Sequence, residues 1–426
     1  MNAQWDFASF NLDLSHLWDI PNGISCPKDF QTQMKAAWLA FISKCQSQEI
    51  GFFDWPRNIP KSELAQISGL TKKLTTDFEG AICIGIGGSY LGPAAIQEAL
   101  RPVQNEKGFS VIWVSNADSG TLLKAKSFLK NRKSATVIIS KSGVTTETLS
   151  AFFHLSRELS SEGFVVITDP QKGELRRLSN EMGWHSLPVP PNIGGRFSVL
   201  TSVGLLPLAL QGVSVEELLR GADSMRSKLT QFSPEENPAV WYAFSKFLWD
   251  GLGRSVQYLM PYDSRLKLIG DWYVQLWAES LGKKQLGTNR AVGPNPVAAL
   301  GTSDQHSLLQ LFKEGPSNRL IGFIDLTEKE GLVVGKPSFS SDNFSYLTNH
   351  SFSELNVLAS YSTEESLHNA SVPTYRISLK ELSAFSLGEL LFFQETACAV
   401  AGEFYKVNAF DQPGVEETKR LLRSKL

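Results

Sequence analysis

AICIGIGGSYLGP, residues 81–93, is the stretch on which the fold turns. Ala81-Ile82-Cys83-Ile84 is a short apolar run closed by glycine, the pattern of a strand buried on both faces. The glycines, the serine and Gly92-Pro93 that follow make a backbone able to lie close to another group. Three familiar loops do not fit it. A dinucleotide fingerprint counted from Gly85 and Gly87 puts Tyr90 where the third glycine belongs. A P-loop counted from Gly87 needs lysine after Gly92 and meets Pro93. A hydrolase elbow around Ser89 needs glycine at the position of Leu91.

Working outward, SVIWVS (110–115), ATVIIS (135–140) and FVVITD (164–169) are three more apolar runs that each end in a polar residue. AAIQEAL and TETLSAFFHLSREL read as helices between them. This alternation implies a parallel sheet covered by helices on both faces. A second alternation follows NIGGRFSVLTSVGLLPLALQG, with strands expected at SVQYLMPYD (255–263), RLIGFIDL (319–326) and PTYRISL (373–379). SRLKLIGDWYVQLWAESLGKK is a long amphipathic helix between the first two, and KPSFSSDNFSYLTNHS reads as a surface excursion. The expected organisation is an N-terminal helical segment (1–47), one α/β domain (48–185), a bridge (186–214), a second α/β domain (215–385) and a C-terminal helical tail (386–426).

With 426 residues the chain exceeds a single core. Its 41 basic and 43 acidic residues give a net charge of -2, which argues against nucleic acid or an anionic membrane as main partner. Cys26, Cys45, Cys83 and Cys398 are scattered and read as reduced thiols of a cytoplasmic protein. The opening MNAQWDFASF has no basic n-region and no apolar h-region, so no signal peptide is expected. Val199–Leu210, the longest apolar stretch, is too short to span a bilayer. The six histidines show no metal-ligand spacing, so no bound metal is expected.

Ser140-Lys141-Ser142-Gly143-Val144-Thr145-Thr146-Glu147 ends one strand and opens a helix. Hydroxyls and N–H groups converge there, at a helix end that favours anions by roughly 0.3–1 kcal/mol per charge. The same pattern also serves as a simple helix cap. Paired with the glycine loop, which ends another strand, it reads as a phosphate pocket at the carboxyl ends of the sheet. Gly194-Gly195-Arg196-Phe197-Ser198 combines a close backbone approach with a fixed cationic fork. On the long helix, Leu266, Ile269, Tyr273, Leu276 and Trp277 form an apolar stripe, while Trp272, Gln275 and Glu279 share another face. In GPNPVAALGTSDQHSLLQLF the Gly/Pro cluster reads as a loop, Thr302 or Ser303 as the N-cap, and His306 as a first-turn residue kept neutral by the helix dipole. Lys419 sits in a charged terminal helix, where solvation is the default.

Taken together, GIGGSYLGP, SKSGVTTET, GGRFSVLTSVGLLPLAL, AESLGK, GTSDQHSLLQL and VNAFDQPGVEETK resemble, in order, the motifs of the glucose-6-phosphate isomerase (phosphoglucose isomerase) family of the compact bacterial type. The resemblance implies two sugar-isomerase-type, doubly wound parallel-sheet α/β domains with helical terminal segments. It places phosphate contacts at Ser89, Ser140, Lys141, Ser142 and Thr145, with Gly88, Glu147, Gly195, Gln275 and Gln412 completing the substrate contacts. It assigns proton shuttling to Glu279, enediolate stabilisation to Arg196, and ring opening to His306 and Lys419. It also implies a homodimer, with His306 supplied by the neighbouring subunit, and no cofactor. The chain departs from common family patterns at Gly143-Val144, Leu281, Pro413 and Glu417-Thr418.

The implied reaction moves one proton between C2 and C1 through an enediol(ate), so that glucose 6-phosphate and fructose 6-phosphate interconvert. A carboxylate carries the proton, a cation faces the developing oxyanion, and an acid and a base open the ring. A non-catalytic sugar-phosphate sensor, and an isomerase that also accepts mannose 6-phosphate, are the two other readings of the same loops.

Overall fold

The computed structural model describes residues 3–19, 29–100, 108–130, 132–328, 332–339 and 342–425; Cys26 lies outside them. The chain divides into two compact units, one of Met1–Phe41 with Ser227–Ala409 and the other of Ile42–Arg226 with Phe410–Leu426. Each unit therefore takes in a distant terminal segment, unlike the contiguous 48–185 and 215–385 blocks expected from the sequence.

In the Ile42–Arg226 unit the described residues form a five-stranded sheet. Its spatial order is Ser110–Val114, Gly80–Ile84, Ser134–Ile139, Phe164–Thr168, His185–Pro188, and every pairing is parallel. Gly80–Ile84, Ser134–Ile139 and Phe164–Thr168 are buried along their whole length, which is why they read as largely apolar runs. Ile82, Ile84, Ile138 and Val166 meet Phe152, Leu155 and Leu175 in the core. The chain goes from Gly80–Ile84 to one side of the sheet and returns to Ser134–Ile139 on the other. The strand order thus reverses between these two neighbours, the place where a doubly wound sheet leaves a crevice.

In the other unit the order is Gln4–Asp6, Phe10–Asp13, Thr374–Leu379, Arg319–Leu326, Val256–Pro261, Asn295–Ala298. The last four are mutually parallel and repeat the reversal, between Val256–Pro261 and Arg319–Leu326. The first two strands run antiparallel to their neighbours, so this sheet is mixed at one edge. They correct the expectation of a helical segment over 1–47: after the two strands and a 3-10 turn at Ser15–Leu17, the first α-helix among the described residues is Phe30–Gln46. Asn295–Ala298, read above as loop, is an edge strand, a position where Pro296 is tolerated.

The Lys267–Leu281 helix is fixed from within its own unit. Tyr273 accepts a 2.7 Å hydrogen bond from Lys246, a buried lysine on the Pro238–Gly251 helix whose pKa burial pulls well below the ordinary lysine value. The rings of Tyr242, Tyr273, Trp277 and Tyr375 enclose that amine. No helix among the described residues is long and apolar enough to cross a membrane.

Candidate active site

Three segments of the Ile42–Arg226 unit meet at the strand-order reversal. The first follows Gly80–Ile84: a 3-10 turn, Gly87–Ser89, leads into the Leu91–Leu100 helix. Gly87 has a φ of 58°, in the left-handed region. At Gly88 an added Cβ would stand 2.3 Å from the carbonyl carbon and oxygen of Gly195. The bare backbone at Gly88 is therefore required by the arginine-bearing turn packed on it, a demand the sequence reading did not foresee.

The second segment follows Ser134–Ile139. The Ser140 hydroxyl is buried and lies 2.8 Å from that of Thr145, and the Ser142 hydroxyl lies 3.5 Å from it. Thr145 occupies the N-cap position of the Thr146–Leu155 helix, yet its side chain makes no capping hydrogen bond. A purely capping role would turn that hydroxyl to the first-turn N–H groups; here it faces the other two hydroxyls. Glu147 stands half-buried in the first turn. Lys141 departs from the expected picture. Its ammonium donates to the carbonyls of Pro191 and Ile193, each at 2.8 Å. Burial pulls its pKa below the ordinary value, against the opposing charge of Asp169.

The third segment is the 3-10 turn Gly195–Phe197. Arg196 is buried and donates through Nη2 to the Asp411 carbonyl at 3.0 Å. Phe197 packs between Phe52 and Phe410, with ring centroids 4.9 and 5.0 Å away. The tail segment is thereby anchored beside the arginine. Gln412, next to Asp411, is exposed. Lys419 is exposed too and pairs with Glu416 at 2.7 Å on its own helix, a solvated ion pair of small energetic weight.

The Ser227–Ala409 unit carries the remaining candidates. Gln275 donates its amide to Glu279 at 3.3 Å, and both are half-buried. The Oε1 of Gln275 is buried and has no hydrogen-bond partner among the described residues, so it is able to accept one. Trp272, placed above on the face of Glu279, is instead 2% exposed and belongs to the core, because the apolar arc of this helix is wider than its stripe. His306 is the second residue of the Gln305–Glu314 helix and is exposed. The N-cap position belongs to Asp304, not to Thr302 or Ser303. Its side chain makes no capping bond to a helix N–H: Oδ2 accepts from the Leu300 N–H at 2.7 Å and Oδ1 from the Ser307 hydroxyl at 3.2 Å. Among the described residues no group of three or more His, Cys, Asp or Glu is placed to hold a metal ion.

The family model described as phosphoglucose isomerase matches residues 63–425. The chain belongs to the phosphoglucose isomerase family. A glucose-6-phosphate isomerase of Carboxydothermus hydrogenoformans is 36% identical over 408 residues, 92% of this chain and 88% of that protein. One from Rubrobacter xylanophilus is 39% identical over 82% of each chain. Among solved structures, a hypothetical protein from Thermus thermophilus superposes with a TM-score of 0.86 at 31% identity, covering 98% of this chain and 99% of that one. A glucose-6-phosphate isomerase from Chlamydia trachomatis shares the fold, with a TM-score of 0.82 at 21% identity over 99% of this chain and 89% of that one. The motifs that carried the resemblance in the sequence are thus those of a phosphoglucose isomerase family member along most of its length.

Proposed function

We propose that this chain interconverts glucose 6-phosphate and fructose 6-phosphate. The observation that carries the reading is the packing, at one strand-order reversal, of the Gly87–Ser89 turn, the Ser140–Thr145 hydroxyl cluster and the buried Arg196. Hydroxyls and helix N-termini suit a phosphate, and a buried guanidinium beside them suits the oxyanion of an enediolate.

Ser89, Ser140, Ser142 and Thr145 hold the phosphate, with the backbone of Gly88 and with Glu147 in the same loops. Gln275 and Gln412 contact the sugar. His306 and Lys419 open the ring by moving a proton between the ring oxygen and the C1 hydroxyl. Glu279 then takes the proton from C2, the C2–H electron pair forms the C1–C2 double bond, and the C1 carbonyl oxygen becomes the oxyanion that Arg196 and Gly195 face. The C2 hydroxyl then gives its proton to the C1 oxygen, the C2 oxygen's electron pair forms the new carbonyl, and the C1–C2 double-bond pair takes the proton back from Glu279 at C1, which completes the isomerisation. The exposure of His306 within one chain supports its use across a homodimer, as the family resemblance implies. The cytoplasm is the compartment where this substrate pair would be met.

A coupled assay that follows glucose 6-phosphate formed from fructose 6-phosphate tests the proposal. Turnover of this pair is expected, with mannose 6-phosphate as the comparison substrate. Binding of both sugars without conversion would overturn it in favour of a sensor.

A further inference from the structure

We infer that Lys141 is a positioning residue for Arg196, and not the counter-charge of the phosphate. This rests on the function proposed above, and it assigns Lys141 a different part in that site.

An ammonium group has three hydrogens. In Lys141 two of them point to fixed carbonyl oxygens, those of Pro191 and Ile193. These carbonyls belong to the segment that leads directly into Gly194-Gly195-Arg196. The same segment is held from its other side, where the Asn192 carbonyl accepts from the Gly51 N–H at 3.0 Å and the Asn192 amide donates to the Gln48 carbonyl at 3.1 Å. Lys141 itself stands on the phosphate loop between Ser140 and Ser142. Its amine is thus the side-chain link that runs from the phosphate loop to the arginine-bearing turn. The Gly88 backbone and the Asp411 carbonyl complete the seating of that turn.

The link has a kinetic signature. The hydroxyl cluster and helix N-terminus remain when the amine is removed, so phosphate affinity is kept. The arginine loses its register to the substrate, and a misplacement of about 1 Å costs on the order of 10²-fold in rate. Lys141→Met in the full-length chain is therefore expected to lower kcat by roughly 10- to 100-fold. KM for fructose 6-phosphate, and Ki for inorganic phosphate as competitive inhibitor, are expected to stay within about threefold of the parent values. In the Arg196→Ala background the same change is expected to cost little further, because two residues acting through one contact are not additive. A tenfold rise in KM and in Ki for phosphate with kcat unchanged would overturn the inference, as would additive losses in the double variant.

A readout independent of turnover separates this inference from the function it rests on. The Ile193, Phe197 and Ser198 amides donate within the segment, to the Pro190, Gly194 and Gly195 carbonyls. Their hydrogen exchange is expected to quicken by about tenfold or more in Lys141→Met while the amides of Ser134–Ile139 keep their protection. Unchanged exchange at 193–198 would overturn the link even in an active enzyme. Lys141→Gln, another neutral side chain, serves as second variant if the Met form fails to fold. If the parent chain does not isomerise the sugar, the proposed function fails while the exchange measurement still decides the role of Lys141.

Discussion

The side-chain amide of Gln275 lies 3.3 Å from Oε2 of Glu279, one helical turn further along the same helix. A pair at this spacing restricts the carboxylate to one side of the helix, with both groups between solvent and core. Glu279→Gln keeps the shape of that pair and removes the basicity. Turnover is expected to fall by about 10²–10⁴-fold, the range typical of a lost general base, with unchanged thermal unfolding. Steady-state kinetics beside a melting curve checks this, and near-parent kcat would remove Glu279 from the proton path.

Arg196→Ala tests the oxyanion role. Arg196 is 3% exposed, and its guanidinium reaches the Asp411 carbonyl. A loss of about 10²–10³-fold in kcat is expected, as for other lost oxyanion donors. An effect confined to KM would mean that the arginine binds substrate without steadying the transition state.

Two neighbouring glycines predict opposite outcomes. A Cβ at Gly88 would meet the Gly195 carbonyl at 2.3 Å, whereas a Cβ at Gly195 meets nothing within 4 Å. Gly88→Ala is expected to destabilise the chain by about 1–3 kcal/mol, the usual cost of overpacking, and to disturb Arg196 as well. Gly195→Ala should leave stability within about 0.5 kcal/mol, as substitutions away from packed features do. Urea unfolding of both variants makes the comparison, and equal losses would contradict the packing described here.

Glu63 gives a pH prediction. It is 6% exposed and accepts from the Ser202 hydroxyl at 2.6 Å. Burial raises its pKa above the ordinary value of 4.5, against the lowering effect of that hydrogen bond. A carboxyl raised on folding contributes stability below its unfolded pKa, and the contribution is lost as pH rises through the folded pKa. At neutral pH the buried charge is thus a net cost. Glu63→Gln, whose amide oxygen can still accept from Ser202, is expected to raise the melting temperature at pH 7.5. The gain should shrink as pH falls towards 4.5. A gain independent of pH, or a loss at pH 7.5, would contradict this account.

The parts of the fold that could be read in the sequence are those buried on both faces. Ser134–Ile139 and Arg319–Leu326 are mostly apolar because no position faces water. His185–Pro188 and Asn295–Ala298 were hidden because short strands at sheet edges tolerate polar residues and proline, and so look like loops. In the site, hydroxyls and glycines at strand ends announced the loops proposed to hold phosphate. The acceptors at Pro191, Ile193 and Asp411 did not, because a backbone carbonyl leaves no trace in residue identity. Trp272 was misplaced because a helix packed on several sides has no single apolar stripe.

The antiparallel strand at Phe10–Asp13 lies beside Thr374–Leu379, and the Ser9 N–H and hydroxyl donate to Glu389, 380 residues further along. The ribosome thus releases this strand long before its neighbour exists. The other unit also awaits the late-made Asp411 carbonyl for its arginine. Neither half can reach its finished form before these late residues are made, so competence should arrive abruptly and not domain by domain.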